Sequence, residues 1–544
     1  MTIINSDHSL SGQNVGTDTP LDPTGYGTRR SSYGYLFTTL ANDPNAGLFP
    51  NTSPEDTLER LKAFEKVYRG LDHPKPPKMA LAPVYTYFGQ FVNHDISAPV
   101  GGLAAEAADI APVAVIGANA GDPPGLGKPG RAENVGKILD CILNEHGAPL
   151  TLDSLYADGP QSNDDAVKAM YRADGMRFRL ERAYRVDDDV IKEQTKSPGT
   201  PVHPIGGASD LRRENGQALI ADRRNDENLI LSQLHLALML LHNKAVDVLH
   251  RDISDPVACF KAARSLVTHH YQWCVVHDYL ANLLADGVLA SVLAKPPRLE
   301  KPNQVPMEFT TAAFRFGHSM VSPTYDFNAN FGIGGSLRDH AKLDELFDFT
   351  SRKGMTPFTG LTQLPDHWIA DWNRLTRPPG NDQLGADAID MTFAHDMLNV
   401  MANGAKLEHG SIFYRNLIRG FHRRLPFGQD LARAYDLKPL EPSAITAALP
   451  AVLSKDPAAR DFDAHTPAWL YCLCEAQQVP KPNGQRLGPL ASRIIADTVI
   501  GLLKHNKASV LYADGGHWTP ADSKLKFPEQ DLMSIRDLLL FAVA

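Results

Sequence analysis

Cysteine is scarce in this sequence, and its scarcity excludes a protein held together by disulfides. Five thiols in 544 residues, an odd number, do not make a disulfide framework. Two of them are separated by a single residue, but no second cysteine or histidine pair lies nearby to complete a metal site. We therefore expect buried free thiols. The five positions are Cys141, Cys259, Cys274, Cys472 and Cys474.

An excess of positive charge and a long apolar run are also missing. Lys and Arg number 54 against 63 Asp and Glu, a net charge of −9, which argues against nucleic-acid binding. No apolar run reaches the roughly 18 residues that a membrane span requires. Residues 1–20 are polar and lack the apolar core of a secretory signal. The protein is expected in the cytoplasm, or outside the cell by a route without a conventional signal peptide.

What the sequence does contain is enough apolar material for a large core. Hydrophobic residues make up 43% of the chain, sufficient for one large core or roughly two to four domain-sized units. Residues 1–50 are rich in Gly, Pro, Asp and Thr and are expected to form an irregular N-terminal arm. A first helix is predicted from Ser53 to Tyr68, because Ser53 can cap it and Pro54 suits its first turn. Two further helical patterns lie between Pro467 and Leu511.

The stretch from Tyr85 to Ile96 combines a helical pattern with a histidine and a carboxylate at its end. Its apolar residues recur at helical spacing, so one face should be buried. His94 and Asp95 come just before Pro99, where the helix must stop. A histidine beside a carboxylate at a helix end can perform acid–base chemistry at neutral pH. The alternative is a capped helix end with a histidine that packs in the core.

A second motif runs from Asp222 to His250. Its leucines form a long apolar stripe, which predicts a buried helix. His235 and His242 share one face of that helix. Two turns, about 10 Å of rise, separate them, too far for both to bind one metal ion without bending. We expect both histidines to be structural.

Three motifs in order resemble those of the peroxidase–cyclooxygenase superfamily, the haem peroxidases of animal type. F-G-Q-F-V-N-H-D at 88–95 resembles the distal-histidine motif, and F-R-F-G-H at 314–318 resembles the proximal one. Between them lies a match to the catalytic-arginine motif, R-x-x-E followed by H and then H-N. Its five matching residues are Arg224, Glu227, His235, His242 and Asn243.

The resemblance covers roughly residues 50–515, and the scarcity of cysteine suggests a bacterial-type member. It implies a mainly α, animal haem peroxidase-like fold with little β structure. Haem would lie between the distal helix and the proximal-histidine helix. The implied division is an arm over 1–50, a catalytic domain over 51–515 and a C-terminal extension over 516–544.

The resemblance also assigns the residues on the open side of the haem. His94 would move a proton between the two oxygens of hydrogen peroxide, and Arg224 would stabilise the charge that develops. Gln90 and Glu227 would contact the haem. The electrons would come from a small organic reductant or a halide, which suggests a role in the response to oxidative stress.

On the other side, His318 would ligate the haem iron. A neutral imidazole bonds iron through one nitrogen, and its other N–H needs an acceptor. The family uses an asparagine for this, and Asn416 is the candidate. Arg315 and Arg419 would pair with the haem propionates, because a guanidinium matches a carboxylate. For either arginine the alternative is an ordinary surface ion pair.

The loop at 149–156 resembles the family's calcium loop, with Asp95, Thr151 and Asp153 as the implied ligands. Ca²⁺ prefers such hard oxygen donors. Thr151 stands where the family often has Asp, and Asp153 stands where it often has Ser. The alternative is an Asx-type turn before a buried Tyr156.

Covalent attachment of the haem is predicted to be limited to one ester. Mammalian members use an Asp before the distal histidine and the Glu of R-x-x-E, and some add a Met after that Glu. Here Asn93 and Asn228 occupy the first and third positions. Glu227 alone keeps the required carboxylate, and its alternative is a plain hydrogen bond or an ion pair with Arg224.

Two other functions stay open at this stage. A fatty-acid dioxygenase of the same superfamily would need a radical-forming Tyr three positions before the proximal histidine, where this chain has Arg315. A non-catalytic binding or adhesion protein on the same fold would not need His94, Arg224 and His318 together. We therefore favour a peroxidase.

Overall fold

The structure, a computed structural model, is built mainly of α-helices. It describes residues 31–74, 76–98, 134–141, 144, 150–185, 208–351, 362–380, 384–398, 401–402, 405–406, 411–479, 483–528 and 533–544. Within those ranges the α-helices of seven or more residues are α1 (Pro54–Arg69), α2 (Val84–Ile96), α3 (Val135–Cys141), α4 (Leu229–Leu249), α5 (Pro256–Cys274), α6 (Ile412–His422), α7 (Gly428–Ala434), α8 (Pro442–Ala448), α9 (Ala468–Gln478), α10 (Pro489–His505) and α11 (Ile535–Val543).

Shorter elements connect these helices. The short α-helices are Thr38–Asn42, Asp153–Tyr156, Asp165–Ala169, Ala281–Leu283, Val288–Leu293, Met307–Thr311, Trp372–Leu375 and His395–Leu398. A π-helix, Val275–Leu280, continues α5. Two 3-10 segments, Arg223–Asp226 and Ala313–His318, carry predicted site residues. Six more are Glu345–Phe347, Asp366–Trp368, Leu453–Lys455, Pro457–Ala459, Ala513–Gly516 and Pro520–Asp522.

Strands are few and no longer than three residues in the described ranges. They form two-stranded pairs. Ser32–Gly34 pairs in parallel with Gln304–Pro306. The antiparallel pairs are Leu180–Arg182 with Ser209–Leu211, Arg213–Glu214 with Gln217–Ala218, Thr324–Tyr325 with Ala341–Lys342, and Met401–Ala402 with Ala405–Lys406. The mainly α fold with little β structure is therefore confirmed.

The predicted first helix, α1, has the capping chemistry that its sequence indicates. The Ser53 hydroxyl accepts a hydrogen bond from the Asp56 N–H at 3.0 Å, and the Asp56 carboxylate accepts one from the Ser53 N–H at 3.3 Å. This reciprocal pair satisfies two donors that a helix start leaves open. Pro54 occupies the first position of the helix, and the prediction is confirmed.

Helix α4 lies at the centre of the core, and α2, α5 and α11 pack against it. It is long and apolar enough to cross a membrane, but 89% of its most apolar window is buried inside the fold. The prediction of a buried helix is confirmed, and burial in a core explains its composition without a membrane. Four of the five cysteines, Cys259, Cys274, Cys472 and Cys474, are buried free thiols as expected.

Both ends of the described chain join this core. Residues 32–34 pair with a strand, and the Glu308 carboxylate accepts hydrogen bonds from the Leu36 and Phe37 N–H groups, each at 3.0 Å. The part of the predicted irregular arm that the structure describes is therefore ordered by pairing, and residues 1–30 lie outside the described ranges. In the predicted C-terminal extension, Leu538 and Leu539 of α11 are buried against α4.

Candidate active site

The distal histidine lies in the last turn of α2 with only 4% of its surface exposed. Its Nδ1 is 2.9 Å from Asn225 Oδ1. Asn225 belongs to the 3-10 segment Arg223–Asp226, which Asp222 caps by accepting a hydrogen bond from the Arg224 N–H at 3.0 Å. Arg213 anchors the other side of this segment through a bidentate pair with Asp226. A rigid turn therefore presents Asn225 to His94.

Arg224 ties the same turn to the end of α2. Its Nε and Nη2 donate to the two carboxylate oxygens of Asp222, at 3.0 and 2.6 Å. Nη2 also donates to the backbone carbonyls of His94 and Ser97, at 3.1 and 2.8 Å. The guanidinium is 3% exposed. The structure therefore places Arg224 directly beside His94, with its positive charge partly balanced by Asp222.

One helical turn before His94, Gln90 forms hydrogen bonds with a carboxylate, Glu227, and with another amide, Asn228. Gln90 Nε2 donates to Glu227 Oε2 at 3.2 Å, and Asn228 Nδ2 donates to Gln90 Oε1 at 3.1 Å. Asn228 also caps α4 by accepting from the Leu231 N–H. Gln90, Asn93 and Glu227 are half-buried among buried neighbours. The structure thus brings Gln90 and Glu227 together.

The proximal candidate, His318, ends the 3-10 segment Ala313–His318 and is half-buried. Its Nδ1 lies 2.9 Å from the side-chain amide nitrogen of Asn416, on α6. The Asn416 Oδ1 is buried and has no hydrogen-bond partner among the described residues. If the Asn416 amide is turned by 180°, its Oδ1 accepts a hydrogen bond from the His318 Nδ1–H. The Nε2 of His318 is then able to bond a metal.

The charges around His318 suit an anionic cofactor with an iron centre. Burial lowers the pKa of His318 well below its ordinary value, and Arg315, Arg419 and Arg415 lower it further. The imidazole is therefore neutral, as a metal ligand must be. Guanidinium groups match the planar carboxylates of haem propionates, and three of them lie near this histidine. Together with the unpartnered Asn416 oxygen, these residues fit a haem.

The two histidine-bearing segments are in contact. Helix α2 packs against the 313–318 segment, and the Thr86 hydroxyl donates to the Met320 carbonyl at 3.3 Å. Gly89 allows α2 to approach the π-helix closely, because a Cβ at this position would lie 2.1 Å from the Tyr279 hydroxyl oxygen. The fold therefore places His94 and His318 on neighbouring elements from distant parts of the chain.

In the predicted calcium loop, hydrogen bonds and an arginine engage the oxygens of the implied ligands. Asp95 Oδ1 accepts from the Ser154 hydroxyl at 3.0 Å, and its Oδ2 accepts from the Leu152 N–H at 3.2 Å. Asp153 Oδ1 accepts from the Thr151 hydroxyl at 2.9 Å and pairs with Arg264 Nη2 at 2.7 Å.

Arg264, from α5, is the cation of this loop. Its side chain is 6% exposed, and its Nη2 also lies 3.4 Å from the Thr151 carbonyl. Its guanidinium stacks over Tyr156, 4.9 Å from the ring centroid. A guanidinium donates to the oxygens that a calcium ion would need, so the loop as it stands does not fit Ca²⁺.

One residue of the site, Asn225, was not singled out from the sequence, and another, His235, was expected to be structural. Asn225 occupies a variable position of R-x-x-E, which the motif leaves unspecified, so no signal pointed to it. His235 was assigned a structural role, but its Nδ1 lies 3.2 Å from Asn225 Nδ2. His242 has the expected structural role, since its Nε2 and Nδ1 bond the Met176 carbonyl and the Tyr156 hydroxyl.

Comparison with known proteins identifies a family match for part of the chain. The animal haem peroxidase family model matches residues 183–358, which include Arg224 and His318. The human probable oxidoreductase PXDNL is 26% identical over 313 residues, 52% of this chain and 21% of that protein. The chain spans about a fifth or less of the length of the curated relatives it matches.

Two solved structures share the fold over most of the chain. Peroxidase A from Dictyostelium discoideum has a TM-score of 0.56 and 19% identity and covers 96% of both chains. The fatty acid alpha-dioxygenase of Oryza sativa also has a TM-score of 0.56, with 14% identity, covering 96% of this chain and 86% of that one. At these identities the likeness concerns the fold.

The helical fold is the one seen in the peroxidase and fatty acid alpha-dioxygenase structures. The animal haem peroxidase match over residues 183–358 supports membership of the peroxidase–cyclooxygenase superfamily. That family implies haem binding, which the residues around His318 fit.

Proposed function

We propose that this protein is a haem-dependent peroxidase that reduces hydrogen peroxide and oxidises a small organic reductant or a halide. The observation that carries the proposal is the histidine pair. His94 and His318 lie on contacting elements, and an asparagine holds the Nδ1 of each, Asn225 for the first and Asn416 for the second. The reacting nitrogen of both rings is then Nε2.

The residues that would hold the cofactor are those around His318. His318 would bind the iron through Nε2, with its Nδ1–H donated to Asn416. Arg315 and Arg419 would pair with the propionates, and Gln90 and Glu227 would contact the porphyrin. When bound, haem supplies the iron at which peroxide is cleaved and through which electrons are taken from the reductant.

His94 is the proposed general acid–base. Its Nε2 takes the proton from one peroxide oxygen and returns it to the other, so that the leaving oxygen departs as water rather than as hydroxide. Burial at 4% exposure keeps bulk water from competing for that proton. Arg224 is the proposed stabiliser of the negative charge that develops during this transfer, because its guanidinium is fixed against the His94 backbone.

The test is a steady-state assay of the haem-loaded protein with hydrogen peroxide, using phenols and halides as reductants. In a stopped-flow experiment, His94→Ala should retain haem and react with peroxide about 10²-fold more slowly or worse, the usual size of a lost acid–base step. The matched control is His250→Ala, since His250 is exposed and outside the site. Unchanged kinetics in His94→Ala would assign the proton transfer to another group.

A second candidate function is oxygenation of a fatty acid, which the likeness to the rice dioxygenase favours. Position 315, three before His318, holds an arginine whose Nε donates to the Thr310 carbonyl at 2.8 Å. A phenol that could abstract hydrogen is missing at that position. Oxygen uptake with a polyunsaturated fatty acid, in parallel with the peroxide assay, decides between the two. A purified protein with no Soret band would instead indicate a binding protein without catalysis.

A further inference from the structure

A row of hydrogen-bonding side chains runs inward from His94 into the core. His94 Nδ1 lies 2.9 Å from Asn225 Oδ1, and Asn225 Nδ2 lies 3.2 Å from His235 Nδ1. Asn225 and His235 have no exposed surface, and the Phe91 ring packs near His235 with centroids 6.1 Å apart. The row joins three segments of the chain: α2, the turn at 223–226 and α4.

The orientation of the Asn225 amide gives this row a direction. With the amide nitrogen toward His235, His235 Nδ1 is the accepting nitrogen and the His235 proton lies on Nε2. The amide oxygen can only accept, so His94 must carry its proton on Nδ1. His94 Nε2 is then bare, which is the state that a general base needs before it meets peroxide.

The inner end of the row has a fixed protonation state. Burial lowers the pKa of His235 to about 3, so the ring is neutral at physiological pH and offers one donor and one acceptor. Its Nε2 is buried without a hydrogen-bond partner among the described residues. A phenyl ring would fill the same apolar pocket without that unpaired group, so stability alone does not account for a histidine here.

We propose that His235 and Asn225 are positioning residues that hold His94 in the tautomer with the proton on Nδ1 and a bare Nε2. The row conducts no proton, because the amide of Asn225 neither gains nor loses one. If His235 did not accept, the amide could turn over and donate to His94 Nδ1, and the His94 proton would move to Nε2. That tautomer cannot take a proton from peroxide. This inference rests on the proposed peroxidase function.

Two pairs of variants separate the acceptor role from simple packing. His235→Phe removes the acceptor and keeps the bulk. Asn225→Leu removes both polar atoms, whereas Asn225→Asp places only acceptor oxygens beside His94 and therefore keeps the proton on Nδ1. Each variant is first compared with wild type for haem content and melting temperature, so that a loss of folding is recognised before any other measurement.

The readout is the infrared C–O stretch of the carbon monoxide complex of the reduced, haem-loaded protein. It is recorded at about pH 8, well above the ordinary pKa of an imidazole. A hydrogen-bond donor beside the bound molecule lowers this frequency, and a bare nitrogen raises it. We expect one high-frequency band in wild type and Asn225→Asp, and an added lower-frequency band in Asn225→Leu and His235→Phe.

The kinetics should follow the spectra. His235→Phe and Asn225→Leu should react with peroxide about tenfold or more slowly, and Asn225→Asp should stay close to wild type. A single unshifted band in folded His235→Phe and Asn225→Leu would overturn the inference, even if wild type proves to be an active peroxidase. A wild type that binds haem but lacks turnover would refute the proposed function while the spectra still report the tautomer.

Discussion

At the scale of single residues, His318 and Asn416 make a prediction about cofactor content. His318→Ala removes the proposed iron ligand and should abolish high-occupancy haem binding, because it deletes the neutral imidazole that Asn416 fixes. The measurement is the haem-to-protein ratio from the Soret band after reconstitution. Normal content with an unchanged spectrum would remove His318 from the proximal role. His250→Ala, an exposed histidine, is the control that should retain full occupancy.

Glu227 makes a second residue-scale prediction. Its carboxylate is held by Gln90 Nε2 at 3.2 Å, while positions 93 and 228 carry amides that do not form esters under these conditions. We expect haem that is wholly extractable or linked by one Glu227 ester that increases after peroxide turnover. Denaturing chromatography with mass spectrometry measures this, and Glu227→Gln should leave all haem extractable. Two covalent links, or one at Asn93 or Asn228, would contradict this picture of the haem edge.

At the scale of elements, the loop around Asp153 makes a prediction about metal. Because Arg264 already supplies a cation to Asp153, a chelator should leave the melting temperature unchanged. Arg264→Met should lower it by several degrees, since breaking a largely buried ion pair costs about 3 kcal/mol or more. The control is Arg433→Met, because Arg433 pairs with Asp430 at the surface and such surface pairs contribute about 0–1 kcal/mol. Stoichiometric calcium in the purified protein would refute it.

The elements also show what a sequence can predict. Helices α1, α2 and α4 were predicted because each carries its own local signal: a cap, a proline or an apolar stripe. The contact between Asn225 and His235 and the pairing of Arg264 with Asp153 join positions that no local pattern links. They depend on how α4 and α5 pack, which periodicity does not specify. The site was therefore predicted as a set of residues, but its supporting hydrogen bonds were not.

At the scale of the whole molecule, a buried carboxylate makes stability depend on pH. Glu475, on α9, is 2% exposed and accepts a hydrogen bond from the Leu490 N–H at the start of α10, at 2.8 Å. Burial raises the pKa of Glu475 from its ordinary 4.5 to about 8. The folded protein therefore keeps a proton that the unfolded chain has lost. Between those two values, stability should fall as pH rises, by at most about 1.4 kcal/mol per pH unit.

The check is the melting temperature of Glu475→Gln between pH values near 5 and 8. Gln keeps an acceptor for the Leu490 N–H and cannot ionise, so the decline with rising pH should become shallower than in wild type. Glu300→Gln, at an exposed position, is the control and should keep the wild-type slope. Equal slopes in wild type and Glu475→Gln would show that other groups determine the pH response.

The position of α11 against α4 has a consequence for synthesis. Residue 535 is made 286 residues after residue 249, and at typical rates of 5–20 residues per second that interval is about 14 to 57 s. During that time the surface of α4 that α11 later covers stays uncovered on the ribosome, although α4 is apolar enough to resemble a membrane segment. The nascent chain therefore exposes an apolar surface that favours aggregation until α11 is made and packs against α4.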